Sequence, residues 1–153
     1  MEEIEGLDYA FVISGFDYLN SLESFRNGLF YVQDVSSMMV AEYAKPEHGD
    51  HVIDVCAAPG GKSTHIAELL NGSGFVEARD LTDYKVSLIE ENIKRHGLSN
   101  MGAVCMDATV FDEASVEKAD ILICDLPCSG LGVLGRKKDI RYKMTEQLSL
   151  IHI

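Results

Sequence analysis

The chain has 153 residues, 46% apolar and 25% charged, enough for one globular domain with a real core. Twenty-five acids against thirteen bases give a formal charge of −12, which excludes a polybasic tail protein, a collagen-like repeat and a low-hydrophobicity disordered chain. That balance also weighs against a nucleic-acid partner, unless the bases gather in one place, because phosphate binding draws on Lys and Arg.

Met1-Glu2-Glu3-Ile4-Glu5 is acidic where a signal peptide starts basic and turns apolar. No run of about eighteen apolar residues follows, so no membrane span is expected. The compartment expected is the cytoplasm, with reduced thiols. Cys56, Cys105, Cys124 and Cys128 form no C-x-x-C pair, and no metal site is expected. Residues 1–48 read as a lead-in segment packing beside a sheet. Within it Phe30-Tyr31-Val32 suggests a strand and Ser36 to Ala44 a helix, and Pro46 and Gly49 punctuate its end.

Residues 49–153 read as the main domain. His51 to Cys56 is a short apolar run between turn signals, as a buried strand requires. Asp54-Val55-Cys56-Ala57-Ala58-Pro59-Gly60-Gly61-Lys62-Ser63 then leads from strand to helix, the place where open α/β sheets bind ligands. Small residues let a ligand approach the backbone, and the helix start offers free N–H groups. A Walker A loop ending in Gly61-Lys62-Ser63 would need glycine where Cys56 stands, and no G-x-G-x-x-G occurs. A tight turn without a ligand is the plainer alternative.

A helix is predicted from Lys62 to Leu70, a second strand from Gly74 to Asp80, and an amphipathic helix from Tyr84 to His96 closed by Gly97. Asp80 ends its strand about twenty residues after the glycine turn, where a ribose is hydrogen-bonded in such folds. Its plainer role is a helix N-cap, which Thr82 or Asp83 could fill equally well. Met101 to Met106 reads as a third strand followed by Asp107, by itself an ordinary turn residue. Together Asp54, Asp80 and Asp107, at consecutive strand ends, suggest a nucleoside-type cofactor without a phosphate chain.

Ala119 to Leu126 is a fourth strand, apolar throughout except for its aspartates, and Asp125-Leu126-Pro127-Cys128-Ser129-Gly130 forms its mouth. Cys56, Cys105 and Cys124 read as small apolar core residues. Cys128, in the loop, is the candidate nucleophile or proton-handling group. Residues 135–153 carry five bases and two acids, in contrast to two bases and ten acids in residues 1–50. A basic run is ordinarily a solvated face. Thr145 to Ile153 reads as a helix that has barely begun. Four strands are fewer than the usual six of a doubly wound sheet, so a chain truncated in mid-domain is expected.

The runs DVCAAPGGKS and DLPCSG resemble the cofactor and active-site motifs of RsmB-like (Sun/NOP2-type) ribosomal RNA cytosine-C5 methyltransferases. Gly28-Leu29-Phe30-Tyr31-Val32-Gln33-Asp34 and Arg136-Lys137-Lys138-Asp139-Ile140-Arg141 support the likeness, which covers about residues 25–145. The resemblance implies an α/β, class I (Rossmann-like) methyltransferase fold: a mostly parallel sheet with helices on both faces, here lacking its last strands. It implies S-adenosyl-L-methionine as cofactor, lined by Cys56, Ala57, Ala58, Pro59, Gly60, Gly61 and Lys62. Asp80 would hold the ribose, Asp107 would lie near the adenine, and Asp125 between cofactor and target base.

The implied chemistry is methylation of cytosine C5 in RNA, with 16S ribosomal RNA the first expectation. C5 is a poor nucleophile, and a thiolate adding at C6 makes the ring an enamine able to take the methyl group. The family divides this work between two cysteines. Cys128, in P-C-S, is implied to assist release, with Asp125 beside it as the second catalytic residue. The attacking cysteine belongs to a T-C-S motif, and no T-C-S occurs in this sequence. Arg136, Lys137, Lys138 and Arg141 would meet the RNA backbone. A monomer is expected. The alternative is a non-catalytic cofactor- or RNA-binding module on the same fold; a DNA cytosine or small-molecule methyltransferase ranks lower.

Overall fold

The computed structural model describes residues 2–127. The expected helix at Thr145–Ile153, the loop residue Cys128 and the basic residues Arg136, Lys137, Lys138 and Arg141 lie outside the described residues.

The lead-in opens with an antiparallel hairpin of β1 (Glu2–Ile4) and β2 (Leu7–Val12), turning at Gly6, whose φ is +83°. Short, polar β1 carries too few apolar positions to announce itself. A 3-10 turn and the brief helix α1 (Glu23–Arg26) follow, and then α2 (Val35–Ala44) forms as predicted. Phe30-Tyr31-Val32 is not a strand. Its apolar side chains serve ring contacts, Phe30 against Phe25 and Tyr31 against His65 and His96, and no ladder partner runs beside it.

Four parallel strands then alternate with helices: β3 (His51–Asp54), α3 (Gly61–Leu69), β4 (Phe75–Asp80), α4 (Asp83–His96), β5 (Met101–Cys105) and β6 (Ile121–Ile123). Their spatial order is β5-β4-β3-β6, so the chain reverses direction across the sheet between β5 and β6. This is the α/β, Rossmann-like arrangement expected. Strand β4 ends at Asp80 as predicted, whereas β3, β5 and β6 end one to three residues earlier than their apolar runs, because Val55, Cys56, Met106, Cys124 and Asp125 already belong to the loops above the sheet.

Right-handed β3-α3-β4 and β4-α4-β5 crossovers step the same way, so α3 and α4 share one face. The core lies beneath them. Val52, Val76, Ala78, Met101 and Ile123 from the strands meet Ile66, Ala67, Leu70 and Ile89 from the helices. Helix α4 is built as its spacing predicts: Thr82 caps it by accepting from Lys85 N, and Gly97 closes it at φ +64°. On the opposite face the segment 106–120 is fastened by the buried Arg79. Its guanidinium donates to Asp112 Oδ2, Ser115 Oγ and Met106 Sδ, while its Nε pairs with Glu77.

The cysteines depart from expectation. Cys105 and Cys124 are exposed and Cys56 is half-buried, so none is the core residue that apolar flanks suggested. Each sits at or just past a strand's carboxyl end, where the chain leaves the covered part of the sheet.

Candidate functional site

The carboxyl ends of β3, β4 and β6 gather most of the predicted site. After Asp54 the chain turns through Val55 to Gly60, and the turn is tied to its neighbours on both sides. Val55 N donates to Ile123 O (3.1 Å) and Ala57 N to Arg79 O (2.8 Å). The Ala58–Pro59 peptide is cis, and Asn92 Nδ2 donates to Pro59 O at 2.6 Å. Gly60 has φ +105°, a conformation that L side chains rarely adopt, and a Cβ there would stand 3.5 Å from Ile89 Cγ2. Glycine is therefore required by backbone angle, and α4 passes close behind it.

Asp54 is 1% exposed and turned inward. Its Oδ2 accepts from Ser63 Oγ at 2.7 Å, and its Oδ1 accepts from Cys56 N at 3.4 Å. Burial pushes its carboxyl above the usual range, against the pull of the Ser63 hydroxyl and the Cys56 amide. Asp54 thus holds the turn to the first coil of α3.

Asp80 is equally buried but faces the turn. Its Oδ2 accepts from Ala58 N (3.0 Å), and its Oδ1 from Leu81 N (2.8 Å) and Lys85 Nζ (2.9 Å). Burial alone would raise its pKa; the hydrogen bonds from Lys85, Leu81 and Ala58 outweigh it and hold the carboxyl below the ordinary range. Asp80 does not cap α4, since Thr82 does. Lys85 is a site residue that sequence reading passed over. Its signal was available: the first turn of α4 begins three residues after Asp80, so its side chains can fold back over the strand end.

Lys62 Nζ reaches Asp125 Oδ2 at 2.5 Å, joining the glycine turn to the mouth of β6 across 63 positions of sequence. The Cys56 thiol lies among these acids. Burial first, and then the Asp80 carboxylate, push its pKa up, so it is a thiol and not a thiolate near neutrality. Asp107 stands apart. Its Oδ1 accepts from Thr109 N and Thr109 Oγ1, the ordinary turn role, and it borders a cavity of about 230 Å³ shared with Val55, Arg79, Met106 and Phe111. Among the described residues no group of His, Cys, Asp or Glu could hold a metal ion.

The profile of the family described as 16S rRNA methyltransferase RsmB/F matches residues 41–150. A probable ribosomal RNA small subunit methyltransferase B of Bacillus subtilis is 47% identical over 119 residues, which are 77% of this chain and 27% of that protein. A tRNA (cytosine(72)-C(5))-methyltransferase of Pyrococcus horikoshii is 42% identical over 135 residues, 88% of this chain and 33% of that protein. The crystal structure of NSun6 from Pyrococcus horikoshii with SFG superposes with a TM-score of 0.67 at 40% identity, over 76% of this chain and 30% of that one. The chain therefore spans about a third or less of the length of these three relatives.

Proposed function

Because the chain belongs to the 16S rRNA methyltransferase RsmB/F family, we propose that it forms the S-adenosylmethionine-binding part of an RNA cytosine-C5 methyltransferase. The observation that carries this reading is the Lys62–Asp125 contact, which brings the two family motifs into one site. Support for RNA comes from the relatives, whose names include both ribosomal and transfer RNA. The family description and the most identical relative quoted above favour 16S ribosomal RNA. We read residues 1–48 as the lead-in and 49–153 as part of the catalytic domain of a monomeric, cytoplasmic enzyme. No described helix is long and apolar enough to cross a membrane.

The residues present fit the cofactor. Asp80 is a buried carboxylate at a strand end with acceptor capacity left on Oδ2, and Lys85, whose side chain is 44% exposed, is free to yield on Oδ1. Gly60 and Gly61 present bare backbone at the start of α3. When bound, the cofactor supplies an electrophilic methyl group on a sulfonium. Asp80 receives the ribose hydroxyls, the turn from Cys56 to Lys62 lines the methionine and ribose side, and Asp107 lies near the adenine. Acid groups along this wall suit a cationic sulfonium.

Asp125, oriented by Lys62, stands between cofactor and base. Cys128 assists release of the methylated cytosine, and Arg136, Lys137, Lys138 and Arg141 hold the RNA backbone. The thiol that adds to C6 belongs to a T-C-S motif absent from these 153 residues; Cys56, protonated and half-buried, does not replace it. Incubation of the 153-residue chain with methyl-labelled cofactor and 16S ribosomal RNA tests this. Cofactor binding by calorimetry with no transfer to RNA is expected. Robust transfer would overturn the assignment of the nucleophile, and RNA binding without cofactor binding would favour a non-catalytic module.

A further inference from the structure

Residues 28–34 form neither helix nor strand before α2 begins, yet their path is pinned. Gly28 has φ +70°, and a Cβ there would fall 2.0 Å from Arg95 O, so backbone meets backbone at the end of α4. His96 Nδ1 lies 3.0 Å from the Gly28 carbonyl oxygen. The Tyr31 ring stands edge-on to His96 with centroids 5.3 Å apart, and tilts against His65 of α3 at 6.5 Å. The segment is thus held against both helices of the site.

Two residues beyond Tyr31, this clamp delivers Gln33 to the start of α3. Its Cγ and Nε2 lie 3.9 and 4.0 Å from the point where a Gly61 Cβ would stand. The Nε2 atom is shut off from solvent and has no hydrogen-bond partner. A buried donor without an acceptor is costly, so its retention asks for an explanation. Beside it, the amides of Gly61, Lys62 and Ser63 precede the first helical bond, from Thr64 N to Gly60 O, and belong to the first turn that no intrahelical carbonyl satisfies. The Lys62 ammonium is engaged by Asp125. Among the described residues, this corner therefore offers amide donors that a small anionic group would satisfy, with its nearest ammonium already paired.

The S-adenosylmethionine molecule carries one such group, the carboxylate of its amino-acid arm. We infer that Gln33 is a cofactor-binding residue, donating through Nε2 to that carboxylate beside the Gly61 end of α3; the inference rests on the S-adenosylmethionine reading above. Side-chain amides and helix starts both favour carboxylates.

The test compares two ligands that differ in this arm. S-adenosylhomocysteine carries the carboxylate, and 5′-deoxy-5′-methylthioadenosine keeps the nucleoside and thioether without it. Calorimetric titration of the 153-residue chain, Gln33→Leu and Gln33→Glu is expected to show S-adenosylhomocysteine weakened about tenfold by Gln33→Leu, and further by Gln33→Glu, whose charge repels the carboxylate. Methylthioadenosine affinity should stay within about twofold, which also reports that the variants fold. Equal losses for both ligands, unchanged S-adenosylhomocysteine binding, or full binding by Gln33→Glu would overturn the assignment. So would an effect confined to RNA affinity, which would place Gln33 on the base. If the unaltered chain binds neither ligand, the cofactor reading itself fails, and this assignment with it.

Discussion

Two aspartates at adjacent strand ends, each 1% exposed, have opposite surroundings and opposite uses. Asp80 receives three donors including an ammonium, and its pKa is held down; Asp54 has one hydroxyl and one long amide contact, and burial prevails. A carboxyl whose folded pKa is raised holds its proton more tightly in the native state, so Asp54 opposes folding as pH rises past the ordinary carboxylate range. Ser63 limits that penalty. Ser63→Ala is therefore expected to destabilise the chain by about 1–3 kcal/mol near neutrality and by less at acid pH. Urea melts at the two pH values would show it as a lower midpoint with unchanged slope; equal losses at both would mean that Asp54 is already protonated at neutrality.

At the scale of elements, the helices and parallel strands from β3 to β5 follow their apolar spacing and caps closely. The irregular segment before α2 does not, because ring packing and one close backbone approach hold it. Gly28 lies under the last turn of α4, where Arg95 O leaves no room for a Cβ. Gly28→Ala should cost about 2–4 kcal/mol through a clash and a left-handed backbone that alanine resists. Hydrogen exchange provides the local readout: amides of 28–33 and of the last turn of α4 should lose protection before the sheet does. Uniform loss across the sheet would contradict a local clamp.

For the whole molecule, the buried His65 and the half-buried His96 join the lead-in to the domain. His65 is 3% exposed, packs edge-on against Tyr9 of the hairpin, and leaves Nδ1 without a partner; His96 leaves Nε2 so. Burial lowers both pKa values from 6.5, more than Glu42 near His65 or the Gly28 carbonyl at His96 can raise them. A base whose folded pKa is depressed takes up protons on unfolding, so stability falls as pH drops below about 6.5 toward the folded value. Raised carboxyls at Asp54 and Glu68 work in the other direction. The expected outcome is therefore a difference: the loss of Tm between pH 7 and pH 5 should be smaller in His65→Gln than in the unaltered chain. An identical slope would place the proton uptake elsewhere.

Alternating apolar runs, glycine stops and the two dense motifs sufficed to read the α/β class, the four parallel strands and the turn where a ligand would enter, because each depends on neighbours close in sequence. Apolar flanks misled where the answer depended on distant partners. They could not show that Cys105 and Cys124 stand exposed, that Asp54 turns inward to Ser63 while Asp80 faces Ala58, or that Lys85 covers Asp80. Nor could they bring Lys62 to Asp125 or Gln33 to Gly61, pairs that meet only when the sheet orders its strands and α3 and α4 close on the lead-in. Local spacing specifies elements; which side chains share a site is set by contacts that exist only after those elements pack.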